Sequence, residues 1–363
     1  MARPSLDFID WMKAIGMTLI VVGHVAGALV NGLTPPIYPK QLGVAFFLFA
    51  MGFSLARDSR PQWRVVGNRL FEIYLFGLAA AVVLTGIAFV TTGALYASNY
   101  LPFLGGVNVV FNNFPVNPTT WYIGTYLHFL LLWALVFRRV PITPALLAGS
   151  LVFEIVARAV LVGTLGGFVG YMMVPNWITV FLAGMWYGQP APSGVEKHRD
   201  VESSVSVPGM LTVTAALAIV WAVFVPAFVS ERSIPFMRLG HGSDAFTLAV
   251  TSACVSFLYL SYTWLTYTVT SCVKAPALVR VVARNTVIVF IAHMPVFYLL
   301  ETRLSGWTTS RPLQVIVRLT VCFVALVLAS EAIRRLVKPT ALRDRILARA
   351  QRPAVPSEGA VVV

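Results

Sequence analysis

The sequence predicts an all-α, polytopic transmembrane helix bundle of about ten spans. Three observations carry this. Of 363 residues, 58% are hydrophobic and only 11% are charged, where a soluble domain has about 25% charged residues. Mean hydropathy is +0.80. The apolar residues fall in continuous runs of the length that crosses a bilayer, about 20 residues for ~30 Å of hydrocarbon. Backbone groups in lipid must be satisfied internally, which leaves helices or closed barrels, and barrel strands would alternate in polarity rather than run on.

Taken in order, the expected spans are 12–33, 41–57, 70–93, 119–137, 142–163, 171–189, 209–229, 245–270, 284–301 and 313–336. The first is expected to be a retained helix rather than a cleaved leader, because Asp7 and Asp10 sit where a leader is basic. Ten spans bring both termini to one side, and the basic residues test this. Of the 27 Lys and Arg, 20 fall in the terminal segments and the loops on that side, and five in the opposite loops; Arg158 and Arg318 fall inside spans. The positive-inside rule then places both termini in the cytoplasm and the chain in the cytoplasmic membrane. The net charge of +13 is thereby spent on topology, and no nucleic-acid partner is expected.

Between the spans, the opposite-side loop 91–120 has no charged residue and is rich in Asn, Tyr, Phe, Gly and Pro. Segment 190–208 reads as a polar linker. A bundle domain is expected over 1–337 and a basic tail over 338–363, in which "TALRDRILARAQR" is amphipathic and suited to an anionic membrane surface. "GTLGGFVGY" (163–171) has the glycines of a phosphate loop without its strand or its Lys-Ser/Thr, and is expected to turn the chain between two helices. Cys254, Cys272 and Cys322 form no spaced cluster and are expected to be buried structural thiols, with no disulfide framework and no metal site.

The first span, "IDWMKAIGMTLIVVGHV", carries the charges that need explaining. Eleven residues turn a helix by about 1100°, within about 20° of three full turns, so Lys13 and His24 share a face about 16 Å apart along the axis. Asp10 lies within about 40° of that face. Lys13 on its own would be read as snorkelling to the interface, and His24 as a helix–helix hydrogen bond. An ionisable group at mid-membrane depth is nonetheless a functional candidate, and imidazole suits proton transfer near neutral pH. Glu154 and Arg158, four apart, can pair on one helix face. Each would cost about 2.5–3.5 kcal/mol at a span's centre, so their face must look inward, either as a structural pair or as part of a substrate site. Trp121 and His128 share a face of the fourth span, and His293 lies midway along the ninth.

"LDFIDWMKAIGMTLIVVGHV" resembles the opening helix of the acyltransferase-3 family of polytopic membrane O-acyltransferases, with Asp10, Lys13 and His24 at the family's spacing and Lys in place of the usual Arg. The Lys and the phrase "VVGH" look like the branch related to sugar O-acetylases. "VAFFLFAMGFSLAR" (44–57) is similar to the family's second helix, with Ala50-Met51 where a Ser is usual. Of the family's paired arginines only Arg69 holds register, Arg64 being five residues away instead of three. "TTWYIGTYLHFLLLW" and "IVFIAHMPVFYLLE" resemble the fourth and ninth helices, and the likeness spans roughly residues 5–335.

This resemblance implies transfer of an acyl group, acetyl by the branch it looks like, from cytosolic acyl-CoA to a hydroxyl of a sugar, a cell-surface glycan or a related small molecule. It implies Lys13, Arg64 and Arg69, with Asp10 beside them, at the CoA phosphates, and His24 as general base or as a transient acyl carrier. His293, Glu154, Arg158 and Trp121 become candidates for the acceptor. The competing reading of the residues alone is a transporter or flippase whose buried ions line a pathway, and a third is a scaffold subunit. The transporter reading is weakened by the absence of internal repeats and by uninterrupted helices; acyl-CoA-dependent activity would separate the acyltransferase from both alternatives. The acceptor and the oligomeric state are not legible in the sequence.

Overall fold

The computed structural model describes residues 6–29, 39–92, 104–111, 118–189, 212, 244–304 and 310–350. The described residues form helices and no strand: α1 (Asp7–Leu29), α2 (Pro39–Ala56), α3 (Gln62–Thr92), α4 (Trp121–Leu132), α5 (Pro144–Leu165), α6 (Gly167–Met172), α7 (Ile178–Gly188), α8 (Ala245–Ser271), α9 (Ala277–Leu304), α10 (Arg311–Leu319), α11 (Leu326–Val337) and α12 (Pro339–Ala350). Two π-helical turns, Trp133–Phe137 and Thr320–Ala325, join α4 to its end and α10 to α11.

Among the described residues, four helices have the length and apolarity to cross a membrane: Pro144–Leu165, Ala245–Ser271, Ala277–Tyr298 and the stretch from Pro312. Helix continues from there towards Ala348, but Lys338 adopts φ 44°, ψ 67° and breaks it, so the apolar part ends at Val337. Lys40–Ala56, Trp121–Phe137 and Ile178–Gly188 are shorter apolar helices. The expected seventh span, 209–229, apart from residue 212, the linker 190–208 and most of loop 91–120 lie outside the described residues. α5 displays a membrane face: Val152, Phe153, Val156 and Val160 are 54–63% exposed, while Ser150, Glu154, Arg158 and Val162 on the opposite face are buried. Such an outward apolar stripe is what lipid covers.

The structure corrects several boundaries. α3 begins at Gln62 rather than near residue 70, because Pro61 offers its carbonyl to Val65 N (3.1 Å) and arginines are tolerated where a helix leaves the membrane. Arg64 and Arg69 are therefore helical. The expected sixth span, 171–189, is broken: Gly166 takes φ +91°, α6 lasts one and a half turns, and a 3-10 turn over Val174–Asn176 precedes α7. The cysteines also differ from expectation, since only Cys322 is buried; Cys254 is half-buried and Cys272 exposed. The latter caps the C-terminal end of α8.

α2 is the centre of the bundle, between α1 and α7, and glycines explain how three helices lie so close. A methyl group at Gly43 would sit 2.4 Å from the Gly16 carbonyl oxygen of α1, and one at Gly184 of α7 would sit 2.1 Å from the Phe49 carbonyl oxygen. Without a hydrophobic drive between helices in lipid, such backbone approach supplies the packing. Phe8, Phe49, Phe53 and Tyr267 fill the rest, Phe8 meeting Phe53 edge-on at 4.8 Å and Tyr267 at 5.0 Å.

Candidate active site

At one end of the bundle, ion pairs tie the helix ends together: Asp7 to Arg280 (3.1 Å), Glu331 to Arg284 (2.6 Å) and Arg335 (2.9 Å), and Glu72 to Arg334. These pairs link α1, α3, α9 and α11, as a common side for their basic ends requires. They also occupy several of the arginines that the sequence places there. Lys13 and Arg69 are used differently. Neither pairs with a carboxylate among the described residues, and both line a cavity of about 290 Å³. Arg69 donates to the Tyr126 hydroxyl (3.2 Å), and Lys13 feels the charges of Asp10, Glu72 and Arg69.

Apart from these cations and the hydroxyls of Ser54, Tyr122, Tyr126 and Thr286, the cavity is lined by apolar groups. Phe47, Ala50 and Met51 of α2, Ile73 of α3, Tyr122 and Ile123 of α4, and Phe290 and Ile291 of α9 form its walls. The Tyr122 and Phe290 rings in this wall are 5.0 Å apart. Thr119 fixes this corner by donating to the Phe290 carbonyl (3.3 Å). Part of the uncharged loop turns inward here too: Asn108 is buried and donates to the Thr120 carbonyl (3.1 Å). A side chain at Gly106 would meet Leu127 at 2.1 Å.

One turn beyond Phe290, about 4.5 Å along α9, His293 meets His24. Nδ1 of His24 lies 2.9 Å from Nε2 of His293, and the rings stack at 5.0 Å. Nδ1 of His293 faces the carbonyl oxygens of Phe290 (2.8 Å) and Val289 (3.1 Å). The charge of Lys40, at the start of α2, also reaches His24.

A family model, the acyltransferase-3 model described as an acyltransferase domain, matches residues 6–334. The chain belongs to the acyltransferase-3 family. It is thus a membrane acyltransferase, as its apolar helices and this family together require. No curated protein and no solved structure matches the chain.

Of the residues expected at the site, the structure brings Lys13 and Arg69 to the cavity, and His24 and His293 to each other. Asp10 lies one turn from Lys13 on α1, half-buried. Arg64 is exposed and faces away from the cavity, lining instead a groove between α3 and α12 with Trp63, Phe71, Ile346 and Leu347. The five-residue spacing explains the split, since two residues five apart differ by about 140° around a helix. Trp121 is buried against Tyr171 and Tyr122 and does not line the cavity. His128 is half-buried beside Gly106, away from the other two histidines.

Glu154 and Arg158 form a separate centre, both fully buried. All five guanidinium N–H groups have acceptors: Asn176 Oδ1 (2.5 Å), the Ser252 carbonyl (2.6 Å), Ser256 Oγ (2.8 Å), Glu154 Oε1 (2.5 Å) and the Asn176 carbonyl (2.9 Å). Glu154 also accepts from Ser256 Oγ (2.6 Å) and from Thr179 N (2.9 Å) at the start of α7, where a helix N-terminus favours negative charge. The chain break that ends the short helix α6 is what frees Asn176 for this role. No guanidinium donor is left over for a ligand; among the described residues the unpartnered donor here is the buried Asn176 Nδ2.

Sequence reading missed Tyr122, Tyr126, Ser54 and Phe290 as cavity residues, and Lys40 as a charge near His24. An aromatic or Ser in an apolar span carries no signal of its own there. Only the pairing of helices distant in sequence brings these residues together.

Proposed function

We propose that this protein is an O-acyltransferase of the cytoplasmic membrane, with both termini cytoplasmic. In this reading it moves an acyl group, acetyl by its likeness to sugar O-acetylases, from cytosolic acyl-CoA to a hydroxyl of a sugar, glycan or related small molecule. The observation that carries the proposal is a cavity lined by two cations and mostly apolar side chains, with a pair of histidines one turn of α9 beyond its Phe290 wall. An acyl-CoA donor has a complementary form, a polyanionic head followed by a slender, uncharged arm whose amides and hydroxyl can meet the Ser54, Tyr126 and Thr286 hydroxyls. Lys13 and Arg69 would hold phosphate oxygens through charge-assisted hydrogen bonds. The arm would run along Phe47, Met51 and Ile73, and the Phe290 ring would turn aside to admit the acyl group.

His24 then acts as general base. As the acceptor oxygen bonds to the thioester carbonyl carbon, the hydroxyl proton passes to His24. The C–S bond breaks, the CoA thiolate leaves, and the imidazolium returns its proton to the sulfur. Direct transfer needs no further group. Glu154, Arg158 and Trp121 take no part in binding the acceptor in this reading and support the bundle instead.

The test uses full-length protein in lipid nanodiscs with radiolabelled acetyl-CoA and a panel of hydroxylated sugar acceptors. Acceptor-dependent thiol release and label transfer, both lost in His24→Gln while the variant stays monodisperse, are the expected result. Label transfer at unchanged rate in His24→Gln would remove His24 from the chemistry.

A further inference from the structure

The contacts of the two histidines determine where their protons are. Carbonyl oxygens only accept hydrogen bonds, so the His293 nitrogen facing Phe290 O (2.8 Å) and Val289 O (3.1 Å), Nδ1, carries a hydrogen. The Val289 carbonyl has a lone pair for this N–H as well as for the helix, while the Phe290 oxygen is shared between the helix, this N–H and the longer Thr119 contact (3.3 Å). In a neutral ring the other nitrogen, Nε2, is then an acceptor. Nε2 lies 2.9 Å from Nδ1 of His24, and a contact this short needs one hydrogen. With both rings neutral, only His24 can provide it, from Nδ1. That leaves Nε2 of His24 with a lone pair, as a base must have. The backbone of α9 thus decides, through two rings, which nitrogen of a residue on α1 is basic.

We propose that His293 is a positioning residue: it holds His24 in the Nδ1–H tautomer and points the basic Nε2 away from the pair, to where the acceptor hydroxyl docks. The inference rests on the reading of His24 as the base. It moves His293 from the acceptor-binding role expected of it to one exerted through His24. It also gives His293 a part in the proton step. When His24 Nε2 takes the acceptor's proton, the imidazolium's Nδ1–H already points at a neutral nitrogen, and a charged donor strengthens that hydrogen bond as the charge appears. No reorganisation is needed at that moment, which is where preorganised partners contribute most.

Two variants separate positioning from mere packing. In His293→Gln the side-chain oxygen comes near the lost Nε2 and can still accept from His24, while in His293→Leu nothing can. Full-length protein in nanodiscs, with its five histidines labelled with 15N in the ring, is read by the imidazole nitrogen shifts that distinguish the tautomers. The same samples are assayed for acetyl transfer. The wild type is expected to show His24 protonated at Nδ1. His293→Leu should move His24 towards the Nε2–H form and lower kcat roughly 100-fold, the range in which a general base contributes, with KM for acetyl-CoA changed less than twofold. His293→Gln should keep the Nδ1–H form and keep kcat within about tenfold of wild type. An unchanged His24 tautomer in His293→Leu overturns the proposal, as does a Gln variant as impaired as the Leu variant. Should the wild type transfer no acetyl group, His24 loses its assignment as base, yet the spectrum still decides whether His293 sets its tautomer.

Discussion

Replacing Arg158 by Leu is the sharpest test of what the buried ion pair is for. The guanidinium makes five hydrogen bonds to Glu154, Asn176, Ser252 and Ser256, all inside the bundle. The substitution leaves the Glu154 carboxylate with zero exposure, still bonded to Ser256 Oγ and Thr179 N but without its counter-charge. Removing one member of a buried pair costs about 3–5 kcal/mol, and the lower end applies here because chains unfolded in micelles also find polar partners. We expect a loss of about 3 kcal/mol, read by denaturant unfolding in mixed micelles. Glu154→Met with Arg158→Leu removes both charges and should recover at least about 1.5 kcal/mol of it, the coupling a double-mutant cycle isolates for contacting residues. Acetyl-CoA and acceptor KM in the surviving folded protein should stay within about twofold. A cost below about 1 kcal/mol together with a raised acceptor KM would refute the structural account and return the pair to substrate binding.

Two more perturbations follow from the basic end of the bundle. Lys13→Met removes one of two cavity cations and should raise KM for acetyl-CoA by roughly tenfold or more, the worth of one charge-assisted hydrogen bond, with kcat little changed and Lys13→Arg close to wild type; an unaltered KM would show that the phosphates bind elsewhere. In the loop after α2, partial burial pushes the Asp58 carboxyl up, but hydrogen bonds from the Arg60 side chain (2.9 and 2.6 Å) and backbone (3.2 Å) outweigh it and hold it below its ordinary 3.8. A depressed folded-state value stabilises the protein above pH 3.8 and ceases to do so as pH falls through the folded value. Because Arg60 is half exposed, Arg60→Ala should cost only about 0.5 kcal/mol at pH 7 and nothing measurable once Asp58 is protonated; an equal penalty at both pH values would assign it to something other than this pair.

The helical class and the Lys13–His24 stripe were legible because both depend on one helix and its period. The apolar runs are local, and eleven residues return a helix to the same face whatever surrounds it. What needs two helices was not legible in the same way. His293 was marked as a candidate, but its contact with His24 crosses 269 residues, and its tautomer depends on two carbonyls that only the α9 backbone places. Glu154 and Arg158 could be paired from their spacing, yet the sequence left a structural and a substrate role equally open. What favours the structural role is the break between α6 and α7, which delivers the Asn176 side chain and carbonyl and Thr179 N to that pair. A span drawn as one continuous run over 171–189 hides that break, since Pro175 and Asn176 are the turn residues in an otherwise apolar stretch. Arg64 and Arg69 make the same point from the other side: charge counting treats them alike, and about 140° of helix rotation separates a residue facing a groove from one lining the cavity. Period and composition thus find which residues are costly in lipid. Which of them are satisfied by the protein, as Arg158 is, and which remain open to a ligand, as Lys13 and Arg69 do, is decided by the partner helix.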